Sequence, residues 1–262
     1  MIPIIKENAA INRLKSILFT LGNRLDNNNN ADIDSNGEAL FLHRLLGSYK
    51  GNITVFDIGA NIGHYSEIIV DYCSTNNLNC ELHLFEPTNS CFAELVNKFG
   101  KNNSVHLNNF GVSDEERASK IYYDKEQSGF ASLYKRDLKH ENISMDKSED
   151  ISLQRLDTYI ESEGIEKIDL LKIDIEGHEL VAFKGMGKYL SPDFITAIQF
   201  EYGGANLDSH TTLKDFYDVL ESAGFEIYKI MKKGLEKRGY ITRMENFQYS
   251  NFVALDKRIL NK

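Results

Sequence analysis

The 262-residue sequence predicts an α/β fold: a doubly wound, mostly parallel seven-stranded sheet with an antiparallel last strand, preceded by an N-terminal helical extension. Two observations carry this prediction. Short apolar runs of strand length alternate with stretches whose apolar residues recur at i, i+3, i+4 and i+7, the pattern of strands and covering helices. The last two strand-like runs, 225–230 and 251–256, are joined by a loop with no helical stretch, as antiparallel neighbours can be. The domain expected is 51–262, with 1–50 as the extension.

The elements follow in order. Ile11, Leu14, Ile17, Leu18 and Leu21 have helical spacing broken by polar residues. An amphipathic helix results, packing on the domain or joining a second subunit in a homo-oligomer. The scarcity of basic residues there (Lys6, Arg13, Lys15, Arg24) weighs against a membrane surface, and the broken spacing against a signal peptide. "DNNNNADIDSN" (26–36) reads as a polar loop, and 37–48 as a helix. "TVFDIGA" (54–60) is the first strand, followed by a helix carrying Tyr65, Ile68, Ile69 and Tyr72. "ELHLFEP" (81–87) is the second, stopped by proline, and Phe92, Leu95, Val96 and Phe99 mark its helix. "SVHLNNFGV" (104–112) is the third strand. The polar stretch 114–150 is too long for a simple connection. "LLKIDIEGHELV" (170–181) begins as the fourth strand and runs into a helix ending near 190. "AIQFEY" (197–202) is the fifth strand. Leu213, Phe216, Tyr217 and Leu220 form a helix that Thr211 or Thr212 caps and Gly224 ends.

Composition narrows the function. A net charge of −9 excludes a broad nucleic-acid surface. No apolar run approaches the roughly 20 residues of a spanning helix. Cys73, Cys80 and Cys91 have neither metal spacing nor an even framework, as expected of a reduced, cytoplasmic protein.

Ligands of parallel sheets bind beyond the carboxyl ends of the strands, so residues there carry the function. "FDIGANIG" keeps two glycines, Gly59 and Gly63, but has Asn61 where a dinucleotide fingerprint has its middle glycine. Asp57 can accept from an ammonium group, and Glu86 at the next strand end suits the two hydroxyls of a ribose. An amino acid end, a ribose and no phosphate describe S-adenosylmethionine. At the fourth and fifth strand ends, Asp174, Glu176, His178 and Glu201 can converge on an acceptor hydroxyl. Either His178 or Asp174 is a general base, or Asp174 and Glu201, with His178 or Glu176, hold a divalent cation that lowers the hydroxyl pKa. Such ligands suit Mg²⁺ or Mn²⁺, and are compatible with Fe²⁺. Glu179 is expected to be solvated in the first turn of its helix. Lys232, Lys233 and Arg238 leave the sixth strand on the ligand face, where they would suit a phosphate-bearing acceptor such as a nucleotide-linked sugar.

The segments "FDIGANIGHYS", "LFEP", "FGVSD", "RLDTYI" and "LLKIDIEGHE" together resemble the successive motifs of the FkbM-type methyltransferases, from about Val55 to Tyr202. The resemblance implies the class I (Rossmann-like) methyltransferase fold and transfer of a methyl group to oxygen, often on sugars or on glycosylated or polyketide products. It assigns Asp57, Gly59, Ala60, Asn61 and Gly63 to the methionine part of the donor, Glu86 to the ribose, and Asn109 through Ser113 and Asp114 to the adenine rim. "SGFASL" (128–133) resembles a family segment near the active site. The expected function is O-methylation of a carbohydrate, with a non-sugar secondary metabolite as the nearest other acceptor. A nicotinamide dehydrogenase is disfavoured by Asn61 and Asp57, and a non-catalytic relative by the intact acids.

Overall fold

The structure, a computed structural model, describes residues 8–258. In chain order its elements are helices α1 (Ala9–Leu25), α2 (Ile33–Asn36) and α3 (Glu38–Gly47), strand β1 (Ile53–Ile58), α4 (His64–Asn76), β2 (Cys80–Phe85), α5 (Asn89–Phe99), β3 (Val105–Asn108), β4 (Gly111–Ser113), β5 (Arg117–Tyr123), β6 (Lys147–Arg155), α6 (Leu156–Glu163), β7 (Leu170–Ile173), α7 (Glu179–Gly185), β8 (Ala197–Tyr202), α8 (Ala205–Asp208), α9 (Leu213–Ser222), β9 (Glu226–Met231), β10 (Gly234–Lys237) and β11 (Ser250–Leu255).

The main sheet has the order β10-β9-β11-β8-β7-β1-β2-β3. It is doubly wound from β1: one half runs out through β2 and β3, the other through β7 and β8. β11 is antiparallel to both β8 and β9, so β9 runs parallel to the rest, as expected. The strand count differs from the expected seven: β10 adds an eighth at the edge, because Lys232 and Lys233 form a two-residue turn that folds the chain back on β9. Two apolar layers cover the sheet. Phe56, Phe85 and Phe200 pack with α6, α7 and α9, whereas Val55, Leu84 and Val253 pack with α3, α4 and α5. Thr212 and Asp215 close a capping box at the start of α9, the position expected from the sequence.

Two regions depart from the expected pattern. The third strand does not run unbroken through 104–112. Asn109 donates to the carbonyls of Glu86 and Pro87, the chain turns, and β4 leaves the main sheet to pair with β6. The polar stretch after it is ordered as β5 and β6, which complete a three-stranded sheet, β4-β6-β5. One face of that sheet is apolar, through Ile121, Ile151 and Leu153. The other departure is α1, in which no residue is buried, so the expected packing on the domain does not occur. Among the described residues no helix is long and apolar enough to cross a membrane.

Candidate active site

A cavity of about 810 Å³ opens at the carboxyl ends of β1, β2 and β7, within the size range of small-molecule sites. Its floor is the turn after β1. Gly59 has φ +82°, and a Cβ there would stand 1.9 Å from the Asp174 carbonyl oxygen, so only glycine fits where the β1 and β7 ends meet. Asn61 is also left-handed, at φ 48°. The amides of this turn are consumed internally: Gly59 and Ala60 donate to the Phe85 carbonyl, Asn61 to Glu86 Oε2 and Gly63 to the Ala60 carbonyl. What the turn offers a ligand is therefore the surface of Gly59, Ala60 and Asn61, which all line the cavity.

Glu86 lines it too. Its carboxylate accepts from the Asn61 amide (2.9 Å), the Thr88 amide (2.8 Å) and the Thr88 hydroxyl (2.6 Å). That leaves about one of the four acceptor sites of a carboxylate for a ribose hydroxyl. Burial, working against these hydrogen bonds, raises the Glu86 pKa. Phe110, Val112, Ile121, Ile151 and Leu153 form the apolar wall that a planar base needs. Most of this wall comes from the small sheet, whose strands the sequence pattern did not resolve.

Several expected donor residues lie outside the cavity lining. Asp57 is wholly buried and does not line the cavity. Its Oδ2 accepts from Ser66 at 2.6 Å, and its Oδ1, which has no hydrogen-bond partner, lies 3.6 Å from Lys172 Nζ. Gly63 starts α4 in a left-handed conformation against Leu95 and Phe99. Asn109 holds the β2 and β3 ends together, and Ser113 hydrogen-bonds His178. Asn109, Ser113 and Asp114 are likewise absent from the cavity lining.

At the β7 end, Lys172 sits 3.4 Å from Asp174 Oδ2 and over the Tyr65 ring. Burial opposes its charge, but Asp174, Asp57 and Glu38 together hold its pKa above the ordinary lysine value. Asp174 and Lys172 both face the cavity. Glu38, far off in sequence, also lines it and accepts from Asn36, Gln199 and Asn251. A chain of buried polar groups then continues from Gln199 to the Tyr65 hydroxyl at 2.8 Å. Lys172, Glu38 and Tyr65 were absent from the expected site. Lysine in a strand reads as simple alternation, and Glu38 precedes every strand.

The fourth strand end departs from expectation in three ways. Glu179 is buried, not solvated: its Oε1 takes the Ile175 and Gly177 amides, its Oε2 has no partner, and burial raises its pKa to about 7. His178 lines the cavity, but one ring nitrogen faces the Ser113 hydroxyl at 3.0 Å and the other the Tyr134 hydroxyl at 3.2 Å. Burial lowers its pKa to about 4, so it is neutral and a weak base at pH 7. Glu201 lies outside the cavity lining. Burial, then Asp174 and Glu176, push its carboxyl well above the ordinary range. The expected metal set of Asp174, Glu201 and His178 is therefore not assembled. Among the described residues, no three His, Cys, Asp or Glu side chains form a group able to hold a metal ion.

The segment from Ser128 to Arg136 spans the cavity as a strap. The Ser128 carbonyl accepts from Asn61 at 3.0 Å, and the Ser132 hydroxyl donates to the Glu176 carbonyl at 2.8 Å. Arg136 bridges Glu176 at 2.5 Å and Asp208 at 3.1 Å. Glu176, a non-glycine residue at φ 51°, is held in that sparsely populated conformation by these contacts. The expected cationic subsite lies elsewhere. Lys232 and Lys233 are exposed in their turn, Arg238 pairs with Asp26 and Glu236, and none of the three lines the cavity.

A sheet wound outward from β1, with its last strand inserted antiparallel between β8 and β9 and its ligand cavity beyond β1 and β2, defines a class I methyltransferase, whose methyl donor is S-adenosylmethionine. The chain belongs to the FkbM methyltransferase family: the methyltransferase FkbM domain matches residues 57–227. No curated protein matches it. Solved structures resemble it in chain path at low identity. The fibrillarin pre-rRNA processing protein of Methanococcus jannaschii is 11% identical with a TM-score of 0.43, over 79% of this chain and 68% of that one. The CMeT domain of the citrinin polyketide synthase is 10% identical with a TM-score of 0.45, over 83% of this chain and 51% of that one. A Burkholderia thailandensis 1,6-didemethyltoxoflavin-N1-methyltransferase, solved with S-adenosylhomocysteine, is 11% identical with a TM-score of 0.41, over 97% and 93%. The chain thus spans about half of the citrinin synthase domain it matches.

Proposed function

We propose that the protein methylates a hydroxyl oxygen of an uncharged carbohydrate. The observation that carries this reading is the Asp174 carboxylate, which faces the cavity beside the glycine turn and is paired with Lys172. S-adenosylmethionine supplies the methyl group. As the acceptor oxygen bonds to the methyl carbon, the carbon–sulfur bond breaks and its electron pair stays on sulfur. The hydroxyl proton passes to Asp174 and then to water. Lys172 holds Asp174 in place, while neutral His178 and Tyr134 hold the wall around it.

Charge selects the acceptor class. Eight acidic side chains and one lysine line the cavity, with burial raising the pKa of Glu38 and Glu86 and that of Glu176 to about 8. Such a lining favours a sulfonium donor and hydroxyl groups that donate to carboxylates. It repels a pyrophosphate, which favours an uncharged sugar over a nucleotide-linked one.

The test uses radiolabelled donor and three acceptor sets: neutral methyl hexosides, hexosamines and nucleotide-linked hexoses. Asp174→Asn is expected to lower the rate on the best neutral acceptor roughly 10²- to 10⁴-fold, the usual range for a general base. Its affinity for S-adenosylhomocysteine, measured by calorimetry, should be unchanged. A variant within tenfold of wild type removes Asp174 as the base. Methylation confined to nucleotide-linked sugars removes the uncharged acceptor.

A further inference from the structure

α1 is the one long helix among the described residues with no buried side chain. Ile11, Leu14, Ile17, Leu18, Leu21 and Leu25 are each 51–72% exposed. At ~100° per residue, these six fall within one arc of about 120°, with Phe19 outside it. Lys15 borders the arc on one side, and Arg13 and Arg24 border it on the other. The opposite face holds Asn12, Ser16, Thr20 and Asn23. In a chain of net charge −9, Ala9–Leu25 contains no acid.

We propose that α1 docks on an anionic lipid bilayer, lying in the plane of the interface with its apolar arc among the acyl chains and Arg13, Lys15 and Arg24 at the headgroups. Long cationic side chains at the borders of an apolar face can bury their stems while their charges stay at headgroup level. The charge pattern argues against a second copy as the occupant: two such helices would bring cation against cation, with no acid on either to pair them. The few basic residues counted in the sequence gain weight from their positions. α1 also leads directly to the cavity. Asn23 Nδ2 donates to Gln248 Oε1 at 3.3 Å, next to Tyr249, and the chain after α1 reaches the cavity rim at Ala31. Docking would therefore set the cavity mouth beside the membrane surface. The proposal stands on α1 alone, whichever acceptor is methylated.

The experiment is co-sedimentation of the full chain with vesicles of phosphatidylcholine, alone or mixed equally with phosphatidylglycerol. Binding to the mixed vesicles is expected, and should weaken at about 0.5 M salt, where the screening length falls to a few ångströms. Leu14→Glu with Leu18→Glu should lower partitioning more than tenfold. Because both positions are exposed, the circular dichroism spectrum and the affinity for S-adenosylhomocysteine should not change. Replacing Arg13, Lys15 and Arg24 with Gln should remove the preference for anionic vesicles, about fivefold per charge. Failure to sediment with mixed vesicles at low salt overturns the proposal. So does a dimer in solution that the Leu14→Glu, Leu18→Glu variant dissociates while vesicle binding is absent.

Discussion

Glu179 shows how burial changes a residue that looks ordinary in sequence. An unfolded glutamate titrates near 4.3, whereas Glu179 in the folded chain is raised to about 7 by burial. The native state therefore holds this proton to higher pH than the unfolded state. The sign follows: the contribution of Glu179 to stability falls as pH rises from about 4.3 through 7, and stays low above that. Glu179→Gln cannot lose a proton and keeps an acceptor for the Ile175 and Gly177 amides. The variant is expected to gain stability over wild type between pH 5 and pH 8, by at most about 3 kcal/mol. Denaturant titrations at the two pH values measure this, and an equal difference at both would show that Glu179 is ionised throughout. His178 has the opposite sign, since a lowered histidine costs stability only as pH falls below 6.5. At this scale the sequence exposed Glu86 and Asp174, because strand ends mark ligand positions. It hid Lys172, whose role depends on two carboxylates brought in by β1 and β7, and Glu38, whose partners Gln199 and Asn251 are remote in the chain.

Among the elements, the strap of residues 128–136 has the most to lose from one substitution. The Arg136 side chain is only 6% exposed and holds two carboxylates, Glu176 and Asp208. Removing one partner of a buried ion pair costs roughly 3–5 kcal/mol, chiefly because the other charges stay buried and unpaired. Arg136→Gln should accordingly detach the strap from the Glu176 turn. Amides of 128–136 are expected to exchange at least tenfold faster, and donor affinity to fall by about the same factor, while Arg136→Lys restores part of both. Unchanged exchange would show that the Asn61 and Ser132 hydrogen bonds hold the strap alone. The main strands and helices were legible from period and punctuation: an apolar run before "FDIGANIG", proline after β2, Thr212 before α9. The small sheet was not. β5 and β6 are polar on their outer face, and only Ile121, Ile151 and Leu153 declare the inner one. A three-residue signal spread over 33 positions has no visible period.

For the molecule as a whole, α1 and the domain are separable in energy. None of the α1 side chains is buried, and its C-terminal end is tied to the domain by a hydrogen bond from Asn23 to Gln248. Deleting residues 1–22 is expected to leave Tm within about 3 °C of the full chain, equivalent to roughly 1 kcal/mol for a protein of this size. Affinity for S-adenosylhomocysteine should also persist. A fall of more than about 8 °C would mean that α1 stabilises the domain after all. The overall α/β winding could be read from the sequence because each strand–helix pair is local. The eighth strand could not: Lys232 and Lys233 suggest a loop, and only the pairing of Met231 with Gly234 turns that loop into an edge hairpin.

The small sheet has one further consequence. It is spliced into the fold between β3 and α6, and supplies part of the roof of the cavity from a continuous stretch of chain, whereas the floor comes from β1, β2 and β7. Roof and floor are therefore separate in the chain, joined through the Ser128–Asn61 and Ser132–Glu176 hydrogen bonds. Drift between β4 and β6 can reshape the chamber while β1, β2 and β7 stay as they are, and a cassette transplanted between relatives for a new specificity would run from Gly111 to Arg155 and keep the Ser128, Ser132 and Arg136 anchors.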